Sequence, residues 1–335
     1  MIKGELGFMH SIKKRLYGYK VASFFAGIGG IDLGFENAGI ETVYQCEIEK
    51  YCQNILNHHW PNIKRDTDIR EVFENDNIPK AQIWSAGFPC QDVSLASARP
   101  RAGLRGERTG LFYEFAELLS RHRPRTILLE NVPGLLNSHE GRDFGIVLQT
   151  LADIGYGVGW RVLNSRYFGV PQSRQRVYIV GCYNDPRRTS EILFEPECGA
   201  RHLEKSGRSG KKTVSPFIEC AENSGSNGGT KRVKKEVPII PKLAFCLAAT
   251  SGRHTGTDWS RTYIPYKSKV RRLTPEECER LQGFPTGWTI PDGLFASDDD
   301  IDGLRYKALG NAVSVPVAEW IGERIVRSLT INPID

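Results

Sequence analysis

Between Lys20 and Cys182 the chain repeats one pattern, in which short, apolar, β-prone runs are separated by longer mixed segments. The runs are VASFF, TVYQC, AQIWSAG, TILLEN, GWRVLN and RVYIVGC. Between them, stretches such as GIDLGFENAG and TGLFYEFAELLSRHR have helical length and spacing. Continuously apolar strands joined by helices are the mark of a parallel sheet covered on both faces. The pattern predicts an α/β domain with a doubly wound, mostly parallel, Rossmann-like sheet. Ligands of such sheets gather beyond the carboxyl ends of the strands, so the residues following each run are where chemistry is expected.

The regularity stops near Asp185. EKSGRSGKK and AENSGSNGGTKRVKK have loop composition, and they predict a second, smaller, irregular domain over 187–299 that includes a hinge region. The first domain then takes 1–186 plus 300–335. In RRLTPEECERLQ, Thr274 reads as an N-cap, with Pro275 at the first helical position and Glu277 closing a capping box. In YKALGNAVSVPVAEWIGERIVRSL a Gly-Asn turn precedes an amphipathic helix that needs a sheet face to bury against, and the expected one is that of the first domain.

Charge is uneven along the chain. Arg187 to Arg272 holds 18 Lys/Arg against 8 Asp/Glu, whereas the rest holds 27 against 31. A basic block on a slightly acidic protein points to a polyanionic partner, because its cations release counterions on binding phosphates. The eight cysteines include no C-x-x-C pair and no zinc-finger spacing, so they read as reduced thiols with no metal. No apolar run approaches the roughly 18 residues of a membrane span, and the start lacks a signal-peptide h-region. The expectation is a soluble cytoplasmic protein with no membrane partner.

Ser23 to Gly39, SFFAGIGGIDLGFENAG, reads as strand, glycine turn and helix. A dinucleotide fingerprint is broken by Asp32 where its third glycine belongs, and an acid in the first helical turn suits a neutral or cationic ligand better than a pyrophosphate. Glu47, twenty residues after Gly27, can accept from ribose hydroxyls. Asp68 offers an acceptor for an adenine amino group beside apolar Ile69. The set describes an adenosine site without a phosphate clamp, and S-adenosylmethionine fits it.

Cys90 in GFPCQDVS follows a proline, which stiffens the turn that presents it. Glu130 ends the run TILL, and Arg174 and Arg176 in QSRQRV fall on one face of an extended segment. The order F-x-G-x-G-G, G-F-P-C-Q, E-N-V, Q-x-R-x-R, a variable basic segment, R-x-L-T-x-x-E and G-N-A-V closely resembles that of the DNA (cytosine-5)-methyltransferases. The likeness runs from about Ser23 to Ile325 and is similar in length to the compact bacterial and phage enzymes of restriction-modification systems.

This resemblance implies transfer of a methyl group from S-adenosylmethionine to C5 of a flipped-out cytosine, leaving S-adenosylhomocysteine. Cys90 would add to C6, Glu130 would hold N3 and the exocyclic amine, and Arg176 with Arg174 would engage the O2 edge. The cofactor contacts fall on Phe25, Gly27, Ile28, Gly29, Gly30, Glu47, Ile48, Asp68, Ile69, Leu111 and Asn311, with Ile48 where many relatives carry an aromatic. Gln91 to Gly110 reads as a lid, with Gln91, Ser94, Arg99, Arg101, Arg105 and Arg108 as DNA contacts. The basic segment corresponds to the target-recognition domain. Cys246-Leu247 stands where relatives commonly show Thr-Leu. The expected partner is double-stranded DNA, bound by a monomer of bacterial or phage origin, with a cognate restriction endonuclease acting separately.

Three other readings compete. A tRNA cytosine-5 methyltransferase would share the scaffold, but that branch typically shows Cys-Phe-Thr where this chain reads Ala244-Phe245-Cys246-Leu247. A nicotinamide-dependent oxidoreductase is opposed by the broken glycine pattern, and an inactive DNA-binding module by the occupied motif positions.

Overall fold

The apolar runs become strands of one sheet. The strands are β1 (Lys20–Phe24), β2 (Glu41–Cys46), β3 (Lys64–Asp66), β4 (Ile83–Ala86), β5 (Thr126–Asn131), β6 (Tyr156–Asn164) and β7 (Gln175–Tyr183), in the order β3-β2-β1-β4-β5-β7-β6. Six of them point the same way; β7 inserts antiparallel between β5 and β6. The computed structural model describes residues 17–75, 77–89, 110–194, 243–249, 262–266, 269–291 and 299–331.

Helices α1 (Gly30–Asn37), α2 (Lys50–His59), α3 (Ile69–Asn75), α4 (Leu111–His122), α5 (Arg142–Ile154) and α6 (Pro186–Leu193) connect or follow the strands. Strand alternation divides the core between two faces. Ala22 and Phe24 of β1 and Leu129 of β5 pack with Phe112, Phe115 and Val147 from α4 and α5. Val21 and Leu128 turn the other way, against Phe35 of α1 and Ile192 of α6. There they meet Val317, Ile321 and Ile325 of α9 (Val315–Ile331), so the amphipathic C-terminal helix finds the expected sheet face.

A third cluster joins the glycine turn to the C-terminal third. Ile28 and Trp60 pack with Leu247, with Leu281 of α7 (Pro275–Gln282), and with Phe284, Trp288 and Leu309. The expected capping box of α7 is present: Glu277 N donates to Thr274 Oγ1, and Thr274 N donates to the Glu277 carboxylate. A short hairpin, β8 (Tyr263–Tyr266) and β9 (Lys269–Arg272), precedes it.

Two local expectations are corrected. Gly310-Asn311 is the end of helix α8 (Asp299–Asn311), with no turn of its own before α9. A Cβ at Gly310 would collide with the backbone of Ala248 and Ala249, so the glycine serves a close approach to that segment. Asp32 does not face a ligand. It is fully buried beneath the turn, where it accepts from Ser23 Oγ at 3.1 Å and from Gln45 Nε2 at 3.2 Å.

Candidate active site

The glycine turn leaves β1 through left-handed backbone at Phe25 (φ 52°), Gly27 (φ 57°) and Gly29 (φ 79°). A side chain at Gly29 would strike Trp60, and one at Gly30 would stand 2.5 Å from the carbonyl of Val313. These two glycines serve internal packing. A Cβ at Gly27 would meet nothing within 4 Å, which leaves this residue as the open face of the turn. Ile28 is buried, and its carbonyl accepts from Trp288 Nε1 at 2.9 Å.

Glu47 follows β2 and is buried to 8% exposure. Its Oε2 accepts from Gly27 N at 2.7 Å and its Oε1 from Glu49 N at 2.8 Å, so the carboxylate fixes the open glycine. Burial raises its pKa, while the backbone donors oppose the rise. Each oxygen keeps a further acceptor position. Ile48 beside it is 59% exposed, an unpartnered apolar surface at the sheet edge. Asp68 accepts from Arg70 Nη2 at 2.7 Å, and that bond holds its carboxyl below the usual range. Ile69 is buried and Leu111 packs on the same core, whereas Asn311 is exposed. An open glycine, a buried carboxylate, a second acid and an exposed isoleucine form an acceptor-rich, half-apolar cradle. Its acceptors suit an adenosine with a cationic tail.

The second half of the site lies at the carboxyl ends of β4 and β5. Glu130 is 8% exposed, and a Cβ built on Gly87 would stand 3.8 Å from its Oε2. The neighbouring Asn131 donates through Nδ2 to the Phe88 carbonyl at 3.3 Å and so holds the loop that leads to position 90. Reading the sequence for Glu130 missed Asn131; its place on the opposite face of the same strand end was the available signal. Cys90 itself lies outside the described residues, as do Gln91, Ser94, Arg99, Arg101, Arg105, Arg108 and most of the expected recognition domain.

Because β7 is antiparallel, its first residues arrive beside the last of β5, with Glu130 opposite Tyr178. Arg176 Nε lies 3.0 Å from Glu130 Oε1 in an ion pair shielded from solvent. Burial raises the Glu130 pKa, and the Arg176 and Arg174 guanidinium groups pull against it. Arg174 is 2% exposed. It donates through Nη1 to the Leu247 carbonyl at 2.9 Å and through Nη2 to the carbonyls of Gly310 at 2.9 Å and Ala312 at 2.8 Å. Burial lowers its pKa to about 10, so it remains charged at neutral pH.

Cys246 Sγ lies 3.4 Å from Arg174 Nη1 and 3.9 Å from Arg176 Nη1. Burial alone would raise this thiol's pKa, but the two arginines outweigh it and hold it below its ordinary value. Gln172, fully buried, donates to the Leu281 carbonyl at 3.0 Å and accepts from Leu247 N at 3.2 Å. The sequence reading assigned no role to Gln172, although it shares the two-residue spacing of the arginines. No cluster of three or more metal-ligating side chains occurs among the described residues, and no helix among them is long and apolar enough to cross a membrane.

Comparison with known proteins identifies the family. The family model for C-5 cytosine-specific DNA methylases matches residues 19–327. Type II methyltransferase M2.BsuMI of Bacillus subtilis is 33% identical over 313 residues, covering 91% of this chain and 75% of its own. M.NgoBI of Neisseria gonorrhoeae is 35% identical over 319 residues, covering 90% and 91%. Among solved structures, the Entamoeba histolytica methyltransferase EhMeth superposes with a TM-score of 0.61 at 18% identity, covering 93% of this chain and 98% of its own. The S. pombe Dnmt2 methyltransferase does so with 0.61 at 17%, covering 94% and 100%, and at such identities the likeness speaks for the fold alone. The matched span and the level of identity show that this chain belongs to the C-5 cytosine-specific DNA methylases, enzymes of the kind found in restriction-modification systems.

Proposed function

We propose that the chain methylates C5 of a cytosine in a specific short sequence of duplex DNA, through a transient bond between Cys90 and C6. The observation that carries this reading is the meeting of the Glu130–Arg176 pair with the Gly87–Pro89 loop end, which leads directly to Cys90. S-adenosylmethionine, held by Phe25, the turn from Gly27 to Gly30, Glu47, Ile48, Asp68 and Ile69, with Leu111 and Asn311 nearer its methionine part, supplies an electrophilic methyl group when bound.

The target ring must leave the helix stack, because C6 is attacked from above its plane. The Cys90 thiolate adds to C6, and the C5=C6 electrons move toward C5. Glu130 in its protonated form donates to N3 while its other oxygen accepts from the exocyclic amine; the raised pKa of this buried carboxyl favours that form. Arg176 would engage the O2 edge and balance charge as it develops. Once C5 carries the methyl group, its proton departs to a base, the C6–S bond breaks, and Cys90 leaves as thiolate. Gln91, Ser94 and Arg99, Arg101, Arg105 and Arg108 would hold phosphates around the extruded base.

Incubation with tritiated S-adenosylmethionine and mixed plasmid DNA should place label in DNA, and bisulfite sequencing should locate it at one short motif. Cys90→Ala should abolish transfer while leaving cofactor affinity largely intact. Label in tRNA with none in DNA would instead assign the RNA substrate.

A further inference from the structure

The Q-x-R-x-R segment presents Gln172, Arg174 and Arg176 at successive same-face positions, and their partners differ in a graded way. Ala244 to Leu247, which lies within the expected recognition domain, docks along this segment. Ser173 N donates to the Ala244 carbonyl and Ala244 N to the Pro171 carbonyl, both at 2.8 Å. Gln172 then takes Leu247 N, and Arg174 takes the Leu247 carbonyl. Arg176 pairs with Glu130. One edge therefore runs from docking contacts to the base pocket in five residues.

Arg174 stands at the midpoint of that edge, and its two terminal nitrogens are committed. Besides Leu247 they hold Gly310 and Ala312, just before the Val313 carbonyl that lies against the cofactor turn at Gly30. Cys246, itself exposed, keeps its sulfur beside both arginines. The bare surface of Gly310 admits the adjoining Ala248–Ala249 backbone, an independent sign that this segment is built to seat there.

We infer that Arg174 is a positioning residue that does not touch the target base: it couples seating of the Ala244–Leu247 segment to the Arg176–Glu130 pair, so that the base pocket is assembled only when the recognition side is docked. This rests on the reading of Arg176 and Glu130 given under Proposed function. Lysine offers one compact donor group where the planar guanidinium spans three carbonyls on two segments. Misplacing the pair by about 1 Å would slow transfer on the order of 100-fold.

The test measures two quantities on the full chain, wild type and Arg174→Ala, Arg174→Lys and Gly310→Ala. One is the single-turnover methylation rate on a duplex carrying the target site. The other is the pH midpoint for alkylation of Cys246 by iodoacetamide, followed by peptide mapping, which separates it from Cys90. Arg174→Ala should lower the rate on the order of 100-fold and move the Cys246 midpoint upward, and added guanidinium ion should partly restore both. Gly310→Ala, which leaves the arginine in place, should move both in the same directions. Arg174→Lys, retaining the charge, should keep the Cys246 midpoint nearer wild type while remaining slow; it also carries the test if the alanine variant does not fold. A slow Arg174→Ala enzyme with an unchanged midpoint would mean that Arg174 acts on the substrate directly, overturning the inference. So would a shifted midpoint with full activity. The midpoint is read without DNA or cofactor, so it decides the docking link even where wild-type transfer to DNA fails and the underlying function reading falls.

Discussion

Asp32 illustrates how a single buried carboxyl sets a pH dependence. It accepts from the neutral groups of Ser23 and Gln45, and desolvation raises its pKa from 3.8 to about 7. The folded state therefore binds this proton more tightly than the unfolded chain, so stability is full below the unfolded pKa and is lost as pH rises through about 7. The swing is on the order of 4 kcal/mol for a shift of this size. Urea unfolding at pH 5 and pH 8 should show wild type losing stability between them and Asp32→Asn losing markedly less; parallel curves for the two proteins would refute the assignment. From the sequence, Asp32 looked like a residue aimed at the ligand. Spacing placed it in the first turn of α1, but only the packing of β1 and β2 beneath that turn shows its side chain pointing inward. The placement of Glu47 and Glu130 was legible because each ends an apolar run, which sets it at the sheet's carboxyl edge. The contacts of Arg174 were not, since they join positions more than 70 residues apart, from 174 to 247 and 310.

At the level of elements, α1 and α9 touch so closely that glycine is required between them. A Cβ on Gly34 would meet Ala318 Cβ at 2.6 Å and the Val315 carbonyl at 2.7 Å, and the backbone atom cannot swing away. Gly34→Ala should therefore cost about 1–3 kcal/mol, the usual penalty of overpacking. Cofactor affinity should fall with it, because Gly30 on the same helix abuts Val313. Gly303 in α8 meets nothing within 4 Å, and Gly303→Ala should instead stabilise by about 0.5–1 kcal/mol, as helix propensity dictates. Thermal melts of the two variants should move in opposite directions, and a common direction would contradict this packing. The six long apolar runs all proved to be strands, because length and β-branching speak directly to that. Lys64–Asp66 carries no apolar residue and is held only as the outermost ladder on β2, so periodicity was blind to β3. Strand direction was equally hidden. An apolar run reads the same both ways, and the reversal of β7, which brings Arg176 to Glu130, follows from pairing with β5 and β6.

For the molecule as a whole, the fold class followed from the alternation of apolar runs and the family from motif order, whereas the contacts that join Arg174 to Leu247, Gly310 and Ala312 did not. Charge remains the one global property read without coordinates. The excess of Lys/Arg between Arg187 and Arg272 predicts DNA affinity that falls linearly on a log–log plot against salt, by a slope of about 0.9 per phosphate contacted. Replacing Lys211, Lys212, Lys234 and Lys235 by glutamine should flatten that slope, as measured by fluorescence anisotropy between low and physiological salt. An unaltered slope would assign the phosphate contacts elsewhere in the chain. One structural feature reaches into how the protein is made. Val313 and α9 close over Gly30 and Gly34, joining residues almost three hundred positions apart. Contacts of such long range form late, after the intervening chain has been ordered. A nascent polypeptide on the ribosome should therefore stay chemically silent until α9 has emerged, and a premature stop codon before α9 should yield an inert fragment.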